Sequence, residues 1–151
     1  MSRLLLEIQR AAGASPGVPS DELFRRWAEA ALGLEGDEVE MVIRLVDEPE
    51  SRQLNRDYRG KDSPTNVLSF PFETPEEVPL SLIGDLVICA PVVAREAAQQ
   101  NKPLEAHWAH MVVHGVLHLL GFDHQTDHEA QVMEERERAI LHDLHFPDPY
   151  N

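Results

Sequence analysis

Residues 114–124 read HGVLHLLGFDH, and no other stretch constrains the fold as strongly. His114 and His118 are four positions apart, so on a helix both imidazoles lie on one face, about one turn from each other. Gly121 then ends the helix, because glycine adopts the left-handed angles of a C-terminal cap at little cost. The residues that follow can bring His124 back over the same face. Three neutral imidazoles with an open fourth position are the usual ligand set of a catalytic zinc. The segment predicts a central helix whose end carries a metal site.

The neighbouring histidines have different expectations. His110 shares the face, but it lies eight residues from His118, about 12 Å along a helix. Two nitrogens each about 2.1 Å from one zinc cannot be separated by much more than about 4 Å, so those two cannot share an ion. His110 and His107 are read as groups behind the ligands, substrate contacts or surface. His128 lies beyond the expected cap of the last helix. Asp123 is placed to accept a proton from a ligand imidazole or to orient the turn. A lone HxxxH pair is more often a surface feature; the third histidine, after a suitably placed glycine, turns the reading toward a metal.

What the segment lacks is equally informative. A metalloprotease helix reads HExxH, with the glutamate as general base, and here that position is Gly115. A peptidase would need a relocated base. Zinc activates water at neutral pH, so a substrate that brings its own anionic group, such as a phosphodiester, needs less help from a carboxylate. It does need positive charge opposite its oxygens. Arg52, Arg56, Arg59 and Lys61 cluster in SRQLNRDYRGK, as either a solvated helix end or a site for an anion. Thr65, Asn66 and Ser69 are expected to fix a turn and the rim of a cleft. Asp85 is a weaker candidate for proton handling.

Periodicity organises the rest. RLLLEIQR (3–10) reads as a strand and GASPGVPS as a loop, and Ser20 caps a helix over 21–32 whose apolar stripe is Phe24, Trp27, Ala28 and Ala31. Val39, Met41, Ile43 and Leu45 alternate along a second strand. Asp47 and Glu50 resemble a capping box for a helix ending near Tyr58. NVLSFPF is a strand that Pro71 places at an edge or end, ETPEEVP is surface loop, and SLIGDLVICA is the most apolar strand. Pro91 suits the first turn of a helix. Asn101 and Pro103 open the long helix that runs to Leu120, and Thr126 with Glu129 starts a last helix ending near Leu144. The order β-α-β-α-β-β-α-α-α predicts an α+β fold: one domain over 1–151, with a mixed sheet of about four strands and about five helices. No nucleotide-binding glycine motif accompanies any strand.

Composition bounds the function. The chain has 151 residues, 27 acidic against 13 basic, for a formal charge of −14. That disfavours broad binding to nucleic acid, DNA included, through released counterions, but leaves room for a local patch. No apolar run is long enough to span a bilayer, and the N-terminal segment has no secretory-signal pattern. Cys89 is the only cysteine, which excludes an internal disulfide and fits a cytoplasmic protein.

HGVLHLLGFDH resembles the H-G-x-L-H-L-x-G-[YF]-D-H signature of the YbeY family of bacterial rRNA maturation factors. RGKDSPTNVLSFPF resembles that family's second block and IGDLVIC its third, so the likeness spans nearly the whole chain and is least informative from Ala139 on. It implies a single-strand-specific endoribonuclease with one zinc per chain, held by His114, His118 and His124, and an active-site arginine at Arg59. It further implies action in 16S rRNA 3′-end maturation, rRNA processing and late-stage ribosome quality control. The partners would be single-stranded RNA and ribosomal subunits, and the low basic content suggests a protein partner for targeting. Two other functions remain to be separated from this one: a non-catalytic zinc-containing assembly factor and the metallopeptidase with a relocated base.

Overall fold

Strand alternation decides how the layers stack. In the computed structural model, which describes residues 3–11, 17–33, 38–72 and 82–150, the elements are β1 (Arg3–Arg10), α1 (Asp21–Leu32), β2 (Glu38–Val46), α2 (Glu48–Arg59), β3 (Val67–Pro71), β4 (Leu82–Cys89), α3 (Ala90–Gln99), α4 (Leu104–Leu119) and α5 (Asp127–Asp143). This is the α+β order that the sequence predicts. The expected loop ETPEEVP falls outside the described residues. The strands form one mixed sheet in the order β1-β2-β4-β3, with β1–β2 and β2–β4 parallel and β3 antiparallel to β4. Pro71, lacking an N–H, sits at the end of the edge strand β3, where it breaks no central ladder.

The two sheet faces bury different clusters. Leu4, Met41, Ile43, Leu86 and Ile88 pack with α1, α4 and α5 into the main core. On the other face Val46, Leu68, Val87 and Cys89 form a smaller cluster closed by Leu54 of α2 and Val92 of α3. Phe24 meets Trp108 edge-on at 5.6 Å and Trp27 at 6.0 Å, which joins α1 to the middle of α4. α4 is buried on most of its circumference. Trp108, Met111, Val112 and Leu119 are buried as the sequence predicts, and Leu104 is half-buried against the same core. No helix among the described residues is long and apolar enough to cross a membrane.

Helix ends follow local chemistry, with two departures from expectation. Ser20, Asp47 and Thr126 each accept a hydrogen bond from the backbone N–H three residues on. The Glu50 side chain, expected to reach back toward Asp47, instead takes a two-point ion pair from Arg44 (2.6 and 3.1 Å). An arginine on the neighbouring strand outcompetes a neutral backbone N–H for a carboxylate. Asn101 does not open α4; it takes a left-handed φ of 53° just after α3, and Pro103 stands at the N-terminus of α4.

Trp108→Ala removes the aromatic at the centre of this packing and is expected to lower stability by about 3–5 kcal/mol. Chemical denaturation checks it, and an unchanged midpoint would place α4's inner face elsewhere.

Candidate metal centre

α4 cannot continue past Leu120 because the chain turns left-handed at Gly121, where φ is 102°. The Gly121 N–H donates to the His118 carbonyl and the Phe122 N–H to that of Leu117, both at 3.0 Å. This paired pattern is the Schellman cap, and it reverses the chain over the last turn of the helix. The Asp123 carboxylate accepts from the His124 N–H at 2.7 Å, so of its two expected roles it takes the second and orients the turn. His124 thereby returns beside His114 and His118, with ring centroids 4.7 to 5.7 Å apart. Each ring offers a nitrogen, and these atoms lie within 4.8 Å of one another.

The donor chemistry fits a metal ion. Burial first, and then the neighbouring His114 and His124, hold the His118 imidazole below its ordinary pKa, which keeps it neutral with a lone pair to give. His114 is fixed by a residue that sequence reading missed. Glu137 of α5 has no exposed surface. Its carboxylate accepts from His114 Nδ1 at 2.6 Å, from His110 Nε2 at 2.9 Å, and from the Tyr150 hydroxyl. Burial alone would raise this carboxyl, but those hydrogen bonds outweigh it and hold the group at about 2. A carboxylate can only accept, so Nδ1 of His114 carries the proton and Nε2 is the nitrogen left for an ion. His110, His114 and Glu137 also lie within ligand distance of one another.

The signal for Glu137 was present in the sequence. Met133, Glu137 and Leu141 recur every four residues as the buried positions of α5, so a glutamate interrupts an apolar stripe where a charge needs partners. Tyr150 belongs to the tail that carried the least information. His107 and His110 are both buried, which removes the surface reading; His107 pairs with Glu96 at 2.9 Å and His110 belongs to the Glu137 network. His128 is exposed in the first turn of α5.

A cleft of about 620 Å³ opens beside the histidines, and β3, the end of α2 and the turn after α4 complete its walls. Arg59, the last residue of α2, lines it. The turn that forms the adjoining wall is tied to the same helix by two buried side chains. The Ser51 hydroxyl bonds both the N–H and the carbonyl of Thr65, and Asn55 Nδ2 donates to the Ser63 carbonyl. Arg52 pairs with Asp62 at 2.7 and 2.9 Å, and Arg56 lies 3.7 Å from Asp57. Arg59 has no carboxylate partner among the described residues. Ser69 donates to the Gly115 carbonyl at 3.0 Å, and Asn66 accepts from the Val67 N–H at 2.6 Å while donating to Glu96, so these polar residues build the rim. Asp85 is elsewhere. It alternates with Leu86 on β4 and so faces the side away from α4, in one row with Glu7, where burial first and then Glu7 raise its pKa. It takes no part in the cleft.

A family model described as Endoribonuclease YbeY matches residues 17–145. Among solved structures, the solution structure of TM1509 from Thermotoga maritima is similar, with 27% identity and a TM-score of 0.57 over 93% of this chain and 92% of that one.

Glu137→Gln is expected to weaken metal binding about 10- to 100-fold, the usual range for losing a partner behind a ligand, and a competition titration with a chelating dye reads it. The carboxylate's pKa is depressed on folding, so its contribution to stability is present above the ordinary carboxyl value and is lost as pH falls toward about 2. The stability gap between wild type and Glu137→Gln should therefore narrow over that acid range; a constant gap would remove the carboxylate's charge from the account.

Proposed function

We propose, because this chain belongs to the YbeY endoribonuclease family, that it cleaves single-stranded RNA with one zinc per chain, held by His114, His118 and His124. The family carries an endoribonuclease role in rRNA processing. The finer reading is action on the 3′ end of 16S rRNA, on other rRNA processing and in late-stage ribosome quality control. Residues 1–151 would be a single metal-dependent hydrolase domain. Its place would be the cytoplasm, in keeping with a lone, buried cysteine.

One observation carries this reading: a cation without a carboxylate partner among the described residues shares a cleft with three imidazole nitrogens that lie within 4.8 Å of one another. When bound, the ion supplies Lewis-acid chemistry at neutral pH. Arg59 stays charged throughout and grips two oxygens of the scissile phosphate with parallel N–H donors, strengthening its hold as negative charge grows. Glu137 keeps His114 in one orientation and one tautomer while this happens. Ser69 ties the cleft wall to α4 through the Gly115 carbonyl, and Asn66 ties it to Glu96 of α3.

The assembly-factor alternative needs a structural ion, and such sites are closed by four protein ligands. Among the described residues the group contains three histidines and no fourth candidate. For the peptidase alternative, the base would have to be relocated, because position 115 is sterically unable to supply it. A Cβ at Gly115 meets the Leu86 side chain at 2.8 and 3.1 Å and Val67 at 3.2 Å. That position points into the sheet and not into the cleft.

Arg59→Glu is expected to keep fold and zinc yet nearly abolish cleavage of single-stranded RNA, and Arg59→Lys to retain a fraction, because an ammonium loses the planar two-point grip. Both are assayed beside His114→Ala on one rRNA fragment carrying a 3′ extension, with zinc measured in every sample. Equal rates in wild type and all three variants would reject the enzyme and favour the assembly factor.

A further inference from the structure

The cleft contains an aromatic ring that the phosphate chemistry does not use. Tyr58 precedes Arg59 on α2, lines the same cleft, and is 67% exposed, the largest value among the exposed large hydrophobics of the described residues. It does not hang loose. Its ring meets Phe70 of β3 with centroids 4.3 Å apart and planes at 88°. Edge-to-face packing covers one face of one ring and only an edge of the other, so at least one face of the phenol ring is left open by Phe70. Phe70 in turn packs against the small core cluster on that side of the sheet. The result is a flat apolar surface, packed on Phe70 and facing water, one residue from Arg59, which has no carboxylate partner among the described residues.

We infer that Tyr58 is a stacking platform for one unpaired nucleobase next to the phosphate held by Arg59. This rests on the endoribonuclease reading and deepens it. A base presents a π-face whatever its identity, so stacking on tyrosine selects for nucleobases without reading sequence. Bases inside a duplex already have both faces stacked on neighbours and cannot offer one to the protein. A single strand can turn a base out onto the ring. Preference for single strands then follows from the shape of the cleft wall, and no base-specific hydrogen bond is required. In a chain this acidic, stacking also supplies affinity that long-range attraction does not.

The test uses zinc-loaded full-length protein and short single-stranded oligoribonucleotides, in which one nucleotide at a time is replaced by an abasic residue around the cleaved bond. Tyr58→Leu should raise KM about 10-fold, in line with the loss of one stacked base, with kcat, zinc content and thermal midpoint close to wild type. Tyr58→Phe should restore the wild-type KM, because the ring and not the hydroxyl does the binding. For wild type, one abasic position should raise KM by a similar factor, and at that position Tyr58→Leu should add nothing further. Equal KM in Tyr58→Leu and wild type, or losses that multiply at every abasic position, would overturn the platform. If Tyr58→Leu does not fold, the abasic series on wild type decides alone, and no sensitive position means no platform. Failure of the underlying function looks different: wild type then leaves every RNA intact. Cleavage that depends on Arg59 but is indifferent to Tyr58 removes the platform and leaves the nuclease.

Discussion

A carboxylate with no exposed surface has to find donors, and the way Glu137 finds them organises the candidate metal centre. Two come from α4, as His110 and His114, and the third is the Tyr150 hydroxyl from the C-terminal tail. The tail is held in turn by Arg138 on Asp148 at 3.1 Å and by the Lys102 ammonium on the Pro149 carbonyl at 2.5 Å. Burial also pushes the Tyr150 phenol upward, with the hydrogen bond to Glu137 adding to it, so the hydroxyl keeps its proton to donate beyond the usual phenol range. One buried anion thus fixes how α5 and the tail pack on α4 and which nitrogen His114 turns toward the cleft. Removing it would leave three oriented donors without an acceptor, a larger cost than one lost hydrogen bond.

The second constraint is the close approach of α4 to the sheet. Gly115 sits over Leu86 and Val67 with no room for a Cβ, and its carbonyl accepts from Ser69 on the edge strand. This contact sets the distance between the helix that carries two of the histidines and the strand that forms the facing wall. The absent general base and the narrow helix–sheet spacing are therefore one fact. A glutamate at 115 would have to push aside the Leu86 side chain of β4 and crowd that of Val67 on β3. Gly84 opposes the same region from the sheet: with φ at 145°, a Cβ there would lie 2.4 Å from the Phe70 carbonyl oxygen.

Much of this was legible in the chain because periodic signals report single elements. Alternation in EVEMVIRLV and the stripe in DELFRRWAEAAL name a strand and a helix whatever surrounds them, and spacing plus Gly121 places three histidines around one point. What the sequence conceals depends on pairings between distant segments. Glu50 looked like half of a capping box until Arg44 claimed it. Asp85 looked available until its parity on β4 put it on the far face of the sheet. Glu137 was hidden among ERER, where charge is expected on a surface; only its register with Met133 and Leu141 betrays a buried position. Arg59 stood out from Arg52 and Arg56 by family likeness, and the structure adds a physical difference. The other two lie beside Asp62 and Asp57, while the turn locked by Ser51 and Asn55 leaves Arg59 facing the cleft.

That difference bears on how so acidic a protein could engage a polyanion. At physiological salt, charges beyond about 8 Å are largely screened, so most of the −14 formal charge is not felt at the cleft, and neither is any distant attraction. Most of the described arginines are already neutralised by a carboxylate, as in Arg10–Asp21, Arg44–Glu50 and Arg52–Asp62. A proposed RNA would meet one guanidinium without a carboxylate partner among the described residues, the proposed ion and an aromatic face, in place of a basic track. Few phosphate contacts mean few released counterions and a shallow salt dependence. Such a site would hold the nucleotides at the scissile bond and little else of the strand. Capture of the proposed substrate would then have to come from whatever brings the RNA end close, which is the physical argument for the proposed protein or ribosomal partner.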